Sequence, residues 1–409
     1  MSPANISALS RRSFLHLSAT ASAAAAFHVM TEPALAAADR PGPLTNDKEA
    51  IFIDANENPL GPSQPARDAI AAIIPQGGRY SDGLTDDLIN TFARIEGLPA
   101  EYIHAFPGST PPLHGTVLAF TSPQKSYVTA DPGYEAGMFA AEEAGARVIK
   151  VPLTKTYAHD VKAMIAAAPD AGLFYVCSPN NPTGTLTPHS EIEYLVENKP
   201  KGSVVLVDEA YIHFSDASSV LDLVKAGKDV IVLRTFSKTY GMAGLRCGFA
   251  IARPDLMERV MRQTGWNFMP VTAVVAAVAS LKDSQLVPER KRINASVRQE
   301  TFDWLDRNHY SYIRSESNCF MLDTKRPGKE LIEAMAQQHV SVGRIWPIWP
   351  TYVRITVGTR PEMERFQAAF QKVMTGAVAM SLRGAGALAR ERRTQRLAGV
   401  SGHKSPQFT

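Results

Sequence analysis

Cysteine is scarce in this chain: three residues in 409, at Cys177, Cys247 and Cys319. Three thiols leave no even framework, and no two are spaced as a CxxC pair, so neither a disulfide scaffold nor a zinc ribbon is expected. Cys177 sits in an apolar run and Cys247 beside a glycine-rich loop, where both read as small core residues. The ten histidines fall at no metal-ligand spacing, and no metal is expected. An excess of one charge is also lacking. The 43 Lys and Arg against 40 Asp and Glu leave a net +3, and no basic stripe carries interleaved aromatics, which argues against nucleic acid as a partner. There is no repeat of fixed period, and no apolar run good enough for stable membrane insertion. What remains is 45% hydrophobic and 20% charged, a globular composition long enough for two domains.

Three stretches carry the chemistry. The first is Val232-Leu233-Arg234-Thr235-Phe236-Ser237-Lys238-Thr239-Tyr240-Gly241-Met242-Ala243-Gly244-Leu245-Arg246-Cys247-Gly248, where an apolar run feeds a glycine-punctuated loop with a lysine between two hydroxyls. Such an amine can form a Schiff base, and desolvation with nearby cations lowers its pKa enough to keep it nucleophilic. Thr235, Ser237 and Arg246 offer donors and charge to a phosphate. The second and third, Val207-Asp208-Glu209-Ala210-Tyr211 and Ser178-Pro179-Asn180-Asn181-Pro182-Thr183-Gly184, each end an apolar run in a polar loop, where open α/β sheets place their ligands. An aldehyde cofactor with a pyridine ring needs a carboxylate on the ring nitrogen and donors on the phenolic oxygen. Asp208 suits the former need; Asn181 and Tyr211 suit the latter. The combination points to pyridoxal 5'-phosphate.

From about Phe52 to Val373 the sequence resembles the class I/II, fold-type I aminotransferases, and is most similar to the histidinol-phosphate aminotransferase group. The resemblance implies an α/β fold: a large domain with a mainly parallel sheet between helices, plus a smaller α+β domain. It implies Lys238 as the cofactor-bearing lysine, with Asp208 and Tyr211 beside it. It adds Ser109 and Thr110 (Pro107-Gly108-Ser109-Thr110) to the phosphate cradle, although Pro111 and Pro112 then remove two N–H donors. Tyr134 in Asp131-Pro132-Gly133-Tyr134-Glu135 would stack on the ring. Tyr80 in Arg79-Tyr80-Ser81-Asp82 would reach the partner's cofactor phosphate in a homodimer. Arg354 in Tyr352-Val353-Arg354-Ile355-Thr356-Val357-Gly358-Thr359 would grip the substrate carboxylate with two prongs, beside Asn181. Arg344, in a segment with Trp346 and Trp349, would approach a distal substrate phosphate, but its spacing to Arg354 looks short and the tryptophans suggest an aromatic wall. His213 stands where the group more often has an acid, and is expected on the solvent side.

The reaction implied is transamination between an amino acid, or a histidinol-phosphate-like amine, and a 2-oxo acid. Decarboxylation or lysis on the same fold is the alternative, and a cofactor-binding regulator without turnover a more distant one.

The termini read separately. Ser10-Arg11-Arg12-Ser13-Phe14-Leu15, an alanine-rich run and the small-residue site Ala34-Leu35-Ala36 match a twin-arginine export signal over residues 1–36. This predicts the export machinery as a partner and a periplasmic or secreted destination. Residues 37–50 form a linker, 51–80 an N-terminal arm with part of the small domain, 81–287 the large domain and 288–375 the rest of the small one. The basic stretch 376–409 is expected to be a disordered tail. Strands are expected at 127–129, 148–151, 173–177, 204–207, 230–233 and 248–252, with the small domain adding 310–314, 319–323 and 352–357.

Overall fold

The structure is a computed structural model that describes Glu32, Leu35, Ala36 and residues 47–265 and 268–376. The twin-arginine motif, Ala34 and the tail from residue 377 lie outside the described residues. Strand β1 (Ile51–Ile53) belongs to a small domain. The large sheet takes β2 (Ile103–Phe106), β3 (Ser126–Asp131), β4 (Val148–Pro152), β5 (Ala171–Cys177), β6 (Val204–Asp208), β7 (Val230–Thr235) and β8 (Gly248–Ile251). The chain then returns to the small domain with β9 (Ser311–Tyr312), β10 (Cys319–Asp323), β11 (Val340–Val342) and β12 (Tyr352–Thr356).

The large sheet runs β2-β8-β7-β6-β5-β3-β4. Five neighbouring strands, β7 to β4, are parallel; β8 is antiparallel to β7, and β2 is antiparallel to β8. Continuous apolar runs are what such strands need, because both faces are covered. Phe174, Val176, Val205, Val207, Val230 and Val232 face one core, while Leu173, Tyr175, Leu206, Ile231 and Leu233 face the other. The fold is α/β, as expected, with a mainly parallel sheet between helices and a smaller α+β unit beside it. All six strand expectations in this region fall on strands. Strand β2 was not foreseen, since Ile103-His104-Ala105-Phe106 is four residues long and half-buried in its middle. In the small domain, the strand expected at 310–314 shrinks to Ser311–Tyr312 against β10.

Because β2, β3, β5, β6 and β7 all point the same way, their C-terminal ends share one edge. That edge carries Ser109, Tyr134, Asn181, Asp208 and Lys238. The small domain closes against it through the 178–184 loop. Gly184 has φ +70°, and a Cβ there would lie 1.9 Å from Ser315 Oγ; its carbonyl accepts from Glu316 N–H at 2.7 Å. Only glycine fits this seam.

Candidate active site

A cavity of about 370 Å³ lies at this edge, lined among others by Ser109, Thr110, Tyr134, Asn181, Asp208, Tyr211, Thr235, Ser237, Lys238 and Arg246. Residues spread over 138 positions of sequence thus reach one space because successive strand ends deliver them.

Lys238 is buried, with Nζ 3.4 Å from the Ala55 carbonyl and 5.4 Å from the Tyr211 ring centre. Burial lowers its pKa below the ordinary lysine value, against the opposing pull of the Glu32 carboxylate. Asp208 closes the far wall. Its oxygens accept from the Tyr175 hydroxyl at 3.0 Å and the Ala210 N–H at 3.1 Å. Both donors are neutral, so desolvation wins and the carboxyl is pushed up to about 6. Tyr211 accepts from Asn56 Nδ2 at 3.0 Å, and Asn56 holds φ +52° to do so.

At the other end, Thr235 and Ser237 hydroxyls sit 2.9 Å apart and Arg246 Nη1 is 3.4 Å from Ser237 Oγ. Arg246 Nη1 also donates to the Ala243 carbonyl at 2.7 Å. A Cβ on Gly108 would come within 2.1 Å of Arg246 Nη2, and one on Gly248 within 3.0 Å of the Ser109 nitrogen. The backbone therefore closes around a point ringed by hydroxyls, a guanidinium and the start of helix Thr110–Phe120. Pro111 and Pro112 lie in its first turn, and the Ser109 hydroxyl makes no capping bond, which leaves it free for a ligand.

Arg354, expected to grip the substrate carboxylate, is wholly buried on β12. Its Nη1 donates to Asn181 Oδ1 at 2.8 Å and its Nη2 to the Asp54 carbonyl at 2.5 Å. Arg344 is buried too, but Nη2 is taken by Glu135 Oε1 at 2.5 Å, with the guanidinium 4.7 Å from the Trp346 ring centre. Tyr80 is not brought into the cavity of its own chain: it is 87% exposed, its ring 5.2 Å from that of Phe268. His213 is half-buried rather than wholly on the solvent side. Its Nε2 lies 3.2 Å from Arg234 Nη1 and its ring packs edge-on against Tyr240, and burial with the Arg234 charge takes it down to about 3. A neutral ring is what fits beside that arginine, which Glu209 already pairs at 2.7 Å.

Sequence reasoning missed three members. Tyr175, which bonds Asp208, sits in the middle of an apolar strand, where a tyrosine carries no signal of its own. Glu135 follows Tyr134 directly, and only the fold brings Arg344 to it. Glu32 was read as part of the leader, yet it lines this cavity.

The residues fit pyridoxal phosphate. A buried carboxylate with neutral partners and a raised pKa matches a cationic ring nitrogen, the hydroxyl and guanidinium ring around Gly108 matches a phosphate, and one buried amine lies between them.

The bond to the Asp208 carboxyl has a measurable consequence. In the cofactor-free protein its folded value, about 6, exceeds its ordinary value of 3.8, so the native state binds more protons between these limits and stability falls as pH rises through that window. The cost above pH 6 is about 3 kcal/mol. Asp208→Asn should therefore make the cofactor-free protein more stable than wild type by about 1–3 kcal/mol at pH 8, with the gap closing toward pH 4. Urea unfolding at the two pH values checks this; equal midpoints at pH 8 would refute it.

Residues 51–370 match the family "Aminotransferase class I and II". A histidinol-phosphate aminotransferase of Moorella thermoacetica is 34% identical over 334 residues, covering 80% of this chain and 86% of that one. An aromatic amino acid aminotransferase of Rhodococcus jostii is 34% identical over 80% of this chain and 91% of its own length. Among solved structures, the histidinol-phosphate aminotransferase of Sinorhizobium meliloti in complex with pyridoxal-5'-phosphate superposes with a TM-score of 0.74 at 24% identity, over 91% of this chain and 100% of that one; this likeness speaks for the fold.

Proposed function

The chain belongs to the class I and II aminotransferases and is a pyridoxal-phosphate-dependent aminotransferase, and from that premise we propose how its residues divide the work and where it operates. When bound, the cofactor supplies an aldehyde for amines and a ring that takes up the electron pair left at the donor's α-carbon. Lys238 Nζ removes the proton from that carbon and returns it during the transfer. Asp208 holds positive charge on the ring nitrogen, while Asn181 and Tyr211 bond the phenolic oxygen. Ser109, Thr110, Thr235, Ser237 and Arg246 hold the phosphate, and Tyr134 packs on the ring.

Arg354 and Asn181 orient the donor's α-carboxylate. This pair is the observation that carries the reading: a fully buried arginine 2.8 Å from a loop asparagine that lines the same cavity as the lysine. Since Arg344 is neutralised by Glu135 and backed by Trp346, the side-chain pocket suits an aromatic or other bulky neutral group better than a phosphate. The exposed Tyr80 supports a homodimer in which it serves the partner's phosphate site. The Ser10-Arg11-Arg12 pattern supports twin-arginine export to the periplasm or beyond.

The test is product analysis with a panel of amino donors and a 2-oxo acid acceptor. A new keto acid and a new amino acid in equal amounts, without carbon dioxide, are expected, with aromatic donors fastest. Stoichiometric carbon dioxide would replace transamination by decarboxylation.

A further inference from the structure

Glu32 has no role in the chemistry above, yet its carboxylate is among the most firmly held groups at the site. Oε1 accepts from Arg354 Nη2 at 2.5 Å, and Oε2 accepts from Asn181 Nδ2 at 3.2 Å and lies 3.4 Å from Arg344 Nη1. The residue is 8% exposed, and Leu35 and Ala36 behind it are 7% and 2% exposed. It joins residues 322 positions away in the sequence, and it is the sole acid among residues 1–38. We propose that Glu32 is an internal substrate mimic: it plugs the active site by placing its carboxylate where the donor's α-carboxylate must bind, and the enzyme is restrained until Glu32 is removed or displaced. This rests on the aminotransferase reading of Arg354 and Asn181.

The physical case is one of exclusion. Arg354 meets Glu32 through Nη2, which also donates to the Asp54 carbonyl, while Nη1 is given to Asn181, so the fork has no second place for a carboxylate. Two carboxylates cannot share that fork without strong like-charge repulsion in a desolvated space. Burial opposes ionisation of Glu32, but Arg354, Arg344 and Lys238 together outweigh it and hold the carboxyl below its usual range, so it stays a charged competitor at working pH. Being tethered, it competes at an effective concentration on the order of millimolar, independent of enzyme concentration. An inhibitor of this kind raises KM for carboxylate substrates and leaves kcat at saturation unchanged. Glu32 also lies on the leader side of Ala34-Leu35-Ala36, so cleavage after Ala36 would remove it. A chain that carries its cofactor across a membrane while folded would thereby be kept from consuming amino acids on the way.

The experiment compares three cofactor-loaded proteins: the full chain, a chain starting at Ala37, and the full chain with Glu32→Gln. The shortened chain should show a KM for the amino donor and for the 2-oxo acid lower by about tenfold or more, at similar kcat, and Glu32→Gln should move most of the way toward it. KM values equal within about twofold across all three would overturn the plug while leaving the enzyme reading intact. A second readout needs no turnover: the rate at which phenylglyoxal modifies Arg354 in the cofactor-free proteins, mapped by mass spectrometry. It should rise at least several-fold in the shortened chain and in Glu32→Gln. An unchanged rate refutes the plug even if no donor is ever turned over, whereas a raised rate with no turnover in any of the three proteins would leave Glu32 as a cover on Arg354 and overturn its reading as a mimic of the donor's carboxylate.

Discussion

Replacing Lys238 by alanine is expected to lower kcat for transamination by roughly 10⁴-fold or more, the upper end of what one acid–base group contributes, because two functions vanish together. The first is covalent capture of the cofactor aldehyde, for which the amine must be present and part of the time uncharged. Burial supplies that condition by lowering the Lys238 pKa, and the site tolerates the neutral amine because Nζ can donate to the Ala55 carbonyl 3.4 Å away. The second is proton movement at the donor's α-carbon. Among the residues lining the cavity, Lys238 is the one amine, while Asp208 is occupied by Tyr175 and Ala210 and Tyr211 by Asn56. Lys238→Arg makes the sharper comparison, since it keeps length and charge but cannot give up its proton in the working pH range; it should be as inactive as alanine. The measurement is kcat with saturating donor, with circular dichroism confirming an unchanged fold. Retention of more than about a tenth of wild-type activity, where loss of an acid–base group costs at least a hundredfold, would remove Lys238 from the centre of the reaction.

How the site was readable at all follows from where its parts lie. Asn181, Asp208 and Lys238 come at the ends of β5, β6 and β7, three adjacent parallel strands whose apolar runs are unbroken because both faces are covered. Continuous runs ending in polar loops survive in a single sequence as a plain signal. Arg354 was visible only through the resemblance, as the arginine of Tyr352-Val353-Arg354, since a cation on an apolar strand suits an inter-strand ion pair equally well. The unreadable parts are those that depend on contacts across long separations. The β1–β11 pair is three residues wide and too short for a period to show. That Glu135 neutralises Arg344 depends on a contact between residues 209 positions apart. His213 looked peripheral because its neighbour in space, Arg234, is 21 positions away. Glu32 was hidden most fully, since alanine-rich leader composition gives no reason to expect a ligand for a catalytic pocket.

Arg354 provides the second large effect, and the one that separates substrate binding from architecture. Arg354→Lys keeps the charge but loses the planar fork, so one ammonium must replace contacts now made to Asn181 Oδ1, the Asp54 carbonyl and a carboxylate. Losing one charge-assisted hydrogen bond and the alignment of another amounts to about 3–4 kcal/mol, so kcat/KM should fall by roughly 10²–10³-fold, most of it in KM. Arg354→Met goes further, because Glu32 is then left buried without its strongest partner, and breaking such a pair costs about 3–5 kcal/mol of stability. If Arg354 were chiefly a structural partner of Glu32, restoring neutrality with Glu32→Gln would recover both stability and activity. If it holds the substrate, the double variant Arg354→Met with Glu32→Gln should regain most of the unfolding free energy while kcat/KM stays low. Read by urea unfolding and by initial rates on the same four proteins, stability should thus recover in the double variant while the donor's kcat/KM stays low in both proteins that lack Arg354. Recovery of both quantities in the double variant would move Arg354 out of the substrate site and into the scaffold.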